Sequence, residues 1–185
     1  MQLDLIKATS QAFAFLSDVG FTQVEAPPQI VRYRKGELEA VVYRDPSSYE
    51  VGFEIGYGAQ KYSIGEVIRL VDRPLGEEYR DPSVTDQAAL SRALLRLAGL
   101  VKTYAQRAIA GDQSVFGALE QQRKAMSEDY ALEVLARQTR PKAEEAFRKQ
   151  DYAEAARLYE SIESKLSASE TKKLAMAQAR SGIRH

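Results

Sequence analysis

The chain has no cysteine, and its only histidine is the last of its 185 residues, His185. The first absence excludes disulfides, thiol nucleophiles and cysteine-ligated zinc. A single terminal histidine also removes serine–histidine catalysis and histidine-ligated metal from consideration. Any chemistry would rest on carboxylates, tyrosines, lysines or arginines. No stretch comes near the roughly 18 uninterrupted apolar residues of a membrane span. The N-terminal MQLDLIKATSQAFAFLSDVG carries an early acid and no basic leader, so no signal peptide is expected and the expected location is the cytoplasm. No cofactor is expected either. Gly56-Tyr57-Gly58 lacks the third glycine and the following helix of a phosphate loop.

What remains is an ordinary globular composition, 44% hydrophobic and 28% charged, with zero net charge. The charge is unevenly placed. Residues 1–87 hold nine Lys/Arg against fourteen Asp/Glu, and residues 88–185 hold seventeen against twelve. A nucleic-acid binder would show a basic domain with aromatics between its charges, which this chain does not. An acidic half suits a partner with a basic surface, reached by electrostatically steered encounter.

Apolar residues at three- and four-residue steps predict a helix over 3–19, stopped by Gly20. Pro27–Pro28 forbid helix and start an extended stretch in which Val31 and Tyr33 oppose Arg32 and Arg34. A second strand alternates Leu38, Ala40 and Val42 with Glu39, Val41 and Tyr43. The cleanest strand sets Tyr49, Val51, Phe53, Ile55 and Tyr57 against Glu50, Gly52, Glu54 and Gly56. Three strands joined by short turns imply an antiparallel meander with one face buried. Ser63-Ile64-Gly65-Glu66 reads as a capping box opening a short helix, with a strand over 62–64 as the competing reading. Residues 72–86 read as a long acidic connection, functional or loosely ordered. Leu90, Leu94, Leu97, Val101, Tyr104 and Ala108 form the strongest helical stripe, ended by Gly111 and followed by a helix capped at Asp112. Pro141 marks a boundary. The expected fold class is α+β: a three-stranded antiparallel meander packed with helices over residues 1–140, and an α-hairpin docked on it over 141–185.

The hairpin is defined by small and aromatic residues: Ala143, Ala146 and Phe147, then Asp151–Tyr152 at a turn, then Ala155, Tyr159 and Ile162. Over residues 142–180 this resembles a single tetratricopeptide repeat, and Ala177 falls where the next repeat would place a small residue. Gln150 stands where that pattern has glycine. The first 135 residues bear a looser similarity to small bacterial α+β proteins such as polymorphic-toxin immunity proteins, through Leu16-Ser-Asp-Val-Gly-Phe21, Tyr62-Ser-Ile-Gly-Glu66, and Tyr104 with Gly111-Asp112 near the end of the long helix.

Two further features bear on function. Tyr-Arg-Asp-Pro-Ser occurs twice, at 43–47 and 79–83, as ordinary turn chemistry. Gly52 and Gly56 beside Tyr43 and Val41 leave a flat, partly apolar sheet face, the best place on the sheet for a protein to dock. Glu50 and Glu54, with Glu39 nearby, are candidate paired carboxylates, but a ~13 Å Cα spacing is long for glycoside hydrolysis. Surface ion pairing with Arg32 and Arg34 is the simpler reading. The sequence thus points to a non-enzymatic macromolecule-binding protein, an immunity or antitoxin-like role being one form. Its expected contact residues are Glu50, Glu54, Glu77, Glu78 and Asp81, with Tyr57 and Tyr79 as aromatic anchors. An adaptor using the C-terminal hairpin and a carboxylate-dependent hydrolase are the alternatives.

Overall fold

Asp4 accepts a hydrogen bond from the Lys7 amide at 2.9 Å and opens α1, Leu5–Ala12, in the computed structural model, which describes residues 3–24 and 27–182. Met1, Gln2 and His185 lie outside the described residues. The helix expected over 3–19 is two pieces. α1 ends where the Phe13 amide bonds Thr9 O, and a single turn, α2 (Phe15–Asp18), follows. Phe13, at the break, and Leu16 beyond it are both 0% exposed. Gly20 stops the segment with φ +91°.

The sheet has five antiparallel strands in the order of the chain: β1 Thr22–Val24, β2 Ile30–Lys35, β3 Leu38–Arg44, β4 Val51–Tyr57 and β5 Gln60–Ser63. The three strands read from the sequence form its centre. The two additional strands are edges. β1 is three residues long, and β5 turns only Tyr62 fully inward, so neither carries a visible alternation. Ser63 ends β5 and also caps α3, Ile64–Val71, through a complete capping box with Glu66. The strand reading over 62–64 therefore holds for Tyr62 and Ser63, and the helix takes over from Ile64.

Residues 72–86 are ordered. Asp72 caps α4, Arg73–Glu78, by accepting from the Leu75 amide at 3.1 Å, and Pro74 sits in its first turn. α4 folds back on α3 so closely that a Cβ at Gly76 would lie 2.3 Å from the Arg69 Cα. The chain then returns to the start of β4, with the Val51 amide bonded to Pro82 O and the Val84 amide to Tyr49 O, both at 2.9 Å. Val84 is 2% exposed.

The long helix is α5, Gln87–Tyr104, continued after a break at Ala105 by α6, Gln106–Ala110. Leu90, Leu94, Leu97 and Val101 are buried as their spacing predicts, against Phe13, Val31, Phe53, Ile55 and Ile68 in one core. Gly111, at φ +86°, ends this stretch. α7 then runs for 36 residues, Gln113–Arg148, with Pro141 inside it. Proline removes one helical hydrogen bond and normally ends a helix. Here Ala136 and Ala143 on either side are fully buried, and Thr139 nearly so, which holds the helix through the fault.

The chain divides into two compact units, residues 1–122 and 123–185. The second contains the end of α7, then α8 (Tyr152–Glu160), a 3₁₀ turn at Glu163–Lys165 and α9 (Ala168–Ser181). Its core is Ala143, Ala146, Ala155, Ala156, Tyr159, Leu174 and Ala177. Small residues let the helices approach, and Tyr159 fills the space with its hydroxyl donated to Glu144 Oε1 at 3.1 Å. Phe147 is only partly buried and meets Tyr152 edge-on, centroids 5.6 Å apart. Gln150 adopts φ +63°, the conformation that a glycine takes without strain. No helix among the described residues is long and apolar enough to cross a membrane.

Candidate functional site on the outer face of the sheet

Alternation puts Val31, Tyr33, Val42, Phe53 and Ile55 in the core and turns the intervening residues to the other face. On that outer face Tyr43 stands directly opposite Gly52. A Cβ at position 52 would lie 2.3–2.8 Å from the ring and hydroxyl of Tyr43, so the glycine is what lets the ring lie flat across β4. The sequence suggested an open surface at Gly52. Tyr43 fills it instead, and the backbone of Gln60 and Lys61 fills the space beside Gly56.

From this position the Tyr43 hydroxyl reaches Asp81 Oδ2 at 3.3 Å, while the Tyr79 hydroxyl donates to Asp81 Oδ1 at 2.8 Å. The two tyrosines are the first residues of the two Tyr-Arg-Asp-Pro-Ser copies, so the copies meet in space. An isolated bridge joins Glu50 to Ser83, and the Ser83 hydroxyl donates to Ser48 O at 3.2 Å. The two aspartates do different work. Asp45 closes its own turn, accepting from the amide (2.7 Å) and hydroxyl (2.6 Å) of Ser47, whereas Asp81 collects two phenols.

Burial shapes the electrostatics of this cluster. It pushes the Asp81 carboxyl above the usual aspartate range, with the two phenol donors opposing and Glu50 adding to the rise. Burial, then the Asp81 charge, pushes the Tyr43 and Tyr79 phenols far up, so both stay protonated and remain donors.

Beside the cluster the outer face is hollowed into a basin of about 650 Å³. Val41, 7% exposed, is among its lining residues, with Ile30, Tyr43 and Pro46 beside it. Glu54, Glu39, Lys61, Arg32, Arg44 and Gln29 supply polar walls. Glu39 is held by Arg34 at 2.5 Å and Lys61 at 3.0 Å, whose hydrogen bonds keep its carboxyl below the usual range. Arg32 is exposed and makes no side-chain hydrogen bond or ion pair among the described residues. The Arg44 guanidinium stacks 5.1 Å from the Tyr49 ring centroid, and its Nε is shielded from solvent without a hydrogen-bond partner. Tyr49, expected to face inward with Val51, instead precedes β4 just after the 46–48 turn, because its left-handed backbone (φ +61°) breaks the alternation and leaves it 48% exposed.

The seven residues expected at a partner contact are distributed as follows. Tyr79 and Asp81 join Tyr43 in the cluster. Glu50 is exposed and paired through its backbone with Ser83, its carboxylate accepting from the Ser48 hydroxyl at 3.0 Å. Glu54 lines the basin, while Tyr57 turns to the opposite face of β4, edge-on to Phe116 with centroids 5.1 Å apart. Glu77 and Glu78 are exposed on α4, Glu77 paired with Arg73 at 2.8 Å. Both tyrosines offered as anchors pack against the core. No site role was read from the sequence for the basin residues Gln29, Arg44 and Lys61. The repeated pentapeptide was the signal that would have linked Tyr43 to Asp81.

Among the described residues no three acidic or histidine side chains gather as a metal site. The chain matches no family model, no curated protein and no solved structure. The arrangement offers a pre-set surface. Its phenols and carboxylates hold one another in place; Glu50, beside it, is exposed, as are Glu77 and Glu78 on α4.

Proposed function

We propose that this chain is a non-enzymatic, cytoplasmic binding protein that recognises another macromolecule through the outer face of its sheet. The observation that carries the reading is the basin: a concave surface of about 650 Å³ lined by Ile30, Val41 and Pro46 among polar residues, with Tyr43 held by its hydrogen bond to Asp81 and Glu39 by Arg34 and Lys61. The carboxylates beside it serve geometry. Asp81 is occupied by two phenols and Glu39 by two cations, which suits a pre-organised receptor better than a proton shuttle. Exposed Glu50, Glu77 and Glu78 give the same unit acidic surface charge that would steer a basic partner surface. An immunity or antitoxin-like role is one concrete form.

The test is a photo-crosslinking residue at position 41 or 54 of the full chain, followed by purified binding of whatever is captured. Tyr43→Ala and Val41→Asp should weaken that binding while Lys124→Ala leaves it unchanged. Equal affinity for all three variants would remove the sheet face. A toxin-type partner would be recognised by growth arrest when expressed alone and relief when co-expressed.

A second reading has its own observation. On α7, within the second unit, Met126, Tyr130, Leu132 and Leu135 are 47, 71, 36 and 41% exposed. An adaptor that bound through this unit would use that apolar stretch, and Tyr130→Glu would then disrupt capture where Tyr43→Ala did not.

A further inference from the structure

The outward side of α5 differs in charge from the rest of its unit. Residues 1–122 hold thirteen Lys/Arg against sixteen Asp/Glu, yet residues 87–111 contain no acid. Leu90, Leu94, Leu97 and Val101 are buried in the core under the sheet. The exposed ridge of α5, with Arg92, Leu95, Arg96, Gly99 and Lys102, therefore looks away from the basin. Arg80 shares a small cleft with Arg96 at the flank of this ridge. Elsewhere in the unit Arg34, Lys61, Arg73 and Arg107 each pair with a carboxylate. The ridge cations do not. Arg80 donates to the carbonyls of Glu77 and Tyr79, and the Lys102 ammonium lies 4.6 Å from the Phe15 ring centroid. Arg92 and Arg96 make no side-chain hydrogen bond or ion pair among the described residues.

Gly99 marks the middle of the ridge. Glycine inside an exposed helix costs stability relative to alanine. Nothing in the fold calls for it here, because its φ is not left-handed and a Cβ at this position would meet no atom within 4 Å. Leu95, one turn earlier, is 63% exposed. We propose that this ridge is a second docking surface, which receives an acidic α-helix of a partner protein crossing α5 at Gly99. Two helices approach most closely where the side chain between them is smallest, and Leu95 packs beside the crossing. Arg92 and Arg96, with Arg80 at the flank, meet carboxylates spaced one turn apart on the incoming helix, each guanidinium matching a carboxylate in two parallel hydrogen bonds. An extended polyanion such as a nucleic acid suits the ridge less. It would run on over a unit whose charge balance is acidic, and it offers Leu95 no apolar contact. The inference is independent of the basin, which lies on the opposite face of the sheet.

The test uses the full chain and a designed peptide of about 18 residues, long enough to hold a helix alone, with an alanine contact face flanked by glutamates. Amide NMR follows the titration, with the same peptide carrying glutamine for glutamate and a short DNA duplex as separate arms. The Arg92, Leu95, Arg96 and Gly99 amides should shift saturably with the glutamate helix, less so at higher salt, and not with the glutamine helix. Gly99→Ala should weaken that binding about tenfold while the Tm stays level or rises, which a merely structural role for the glycine would not give. Arg96→Gln should weaken it by a similar factor through the lost charge. No shift along α5, equal shifts with the glutamine helix, or tighter binding of the duplex overturns the proposal. So does a Gly99→Ala chain that binds the glutamate helix as well as the wild type.

Discussion

Replacing Gly52 by alanine should destabilise the first unit by more than a single methyl group would suggest. The added Cβ lands 2.3 Å from the Tyr43 hydroxyl oxygen and 2.4 Å from its Cζ, far inside van der Waals contact. Either β4 shifts or the ring leaves. Forced overpacking costs about 1–3 kcal/mol. If the ring swings away, the hydrogen bond to Asp81 goes with it, another ~1 kcal/mol for a partly buried donor to a charged acceptor. We expect a total of about 2–4 kcal/mol, read as a lowered urea midpoint with unchanged slope. A double-mutant cycle isolates the cause. With Tyr43→Ala already in place the same Gly52→Ala change should cost less than about 0.5 kcal/mol, since alanine is no worse than glycine in a strand. Equal costs in both backgrounds would refute the account of Gly52 as the seat of the Tyr43 ring.

Gln150→Gly should raise stability by about 0.5–1 kcal/mol in thermal or urea unfolding, because the residue already sits at φ +63°; a loss would mean that its side chain matters more than its backbone. Pro141→Ala should stabilise by up to about 3 kcal/mol, since the proline lies within α7; no change would show that the helix has already adapted around it. Asp81 should leave a pH signature. Its folded carboxyl stands above the ordinary value of 3.8, so as pH rises through the interval between the two the unfolded chain ionises first and stability falls, then stays lower. The stability difference between wild type and Asp81→Asn should therefore change across that interval and be flat above it; a pH-independent difference would refute the burial argument. Glu144 has the opposite sign. Lys173 and the Tyr159 phenol hold its carboxyl below the ordinary value, so its contribution is present near neutrality and is lost as pH falls through the folded value. Its side chain is 47% exposed, so Glu144→Gln should cost only a few tenths of a kcal/mol at pH 7.

The centre of the fold was legible because its alternation is strict: Val31 and Tyr33, Ala40 and Val42, and Val51, Phe53 and Ile55 are all buried, as period two required. The α5 stripe was equally plain. The edges were not, since an edge strand needs few inward residues and β5 spends only Tyr62 fully on the core. Pro141 misled because local proline chemistry argues for a stop, while burial on both sides of it decides otherwise. The Gln150 turn shows the converse: a departure from the repeat pattern changed the residue and kept the backbone. The basin was half visible. Tyr43, Val41 and the two glycines marked its face, but nothing in residue order reveals that Tyr43 reaches across a strand to Asp81, 38 residues on. Arg44 was hidden for a related reason, as an orphaned donor exists only once its surroundings are built.

The paired pentapeptides also bear on the order in which this unit assembles. Hairpins β2–β3 and β3–β4 close over a few residues, whereas residues 79–84 reach β4 across the longer stretch that holds α3 and α4, a contact of higher closure entropy. The segment should therefore be the last piece to arrive and the first to leave. Two amides report on it directly, Val51 bonded to Pro82 O and Val84 bonded to Tyr49 O. In hydrogen exchange they should open together, well before Phe53 and Ile55 at the middle of the same sheet, as one small cooperative flap on an otherwise slow-exchanging scaffold.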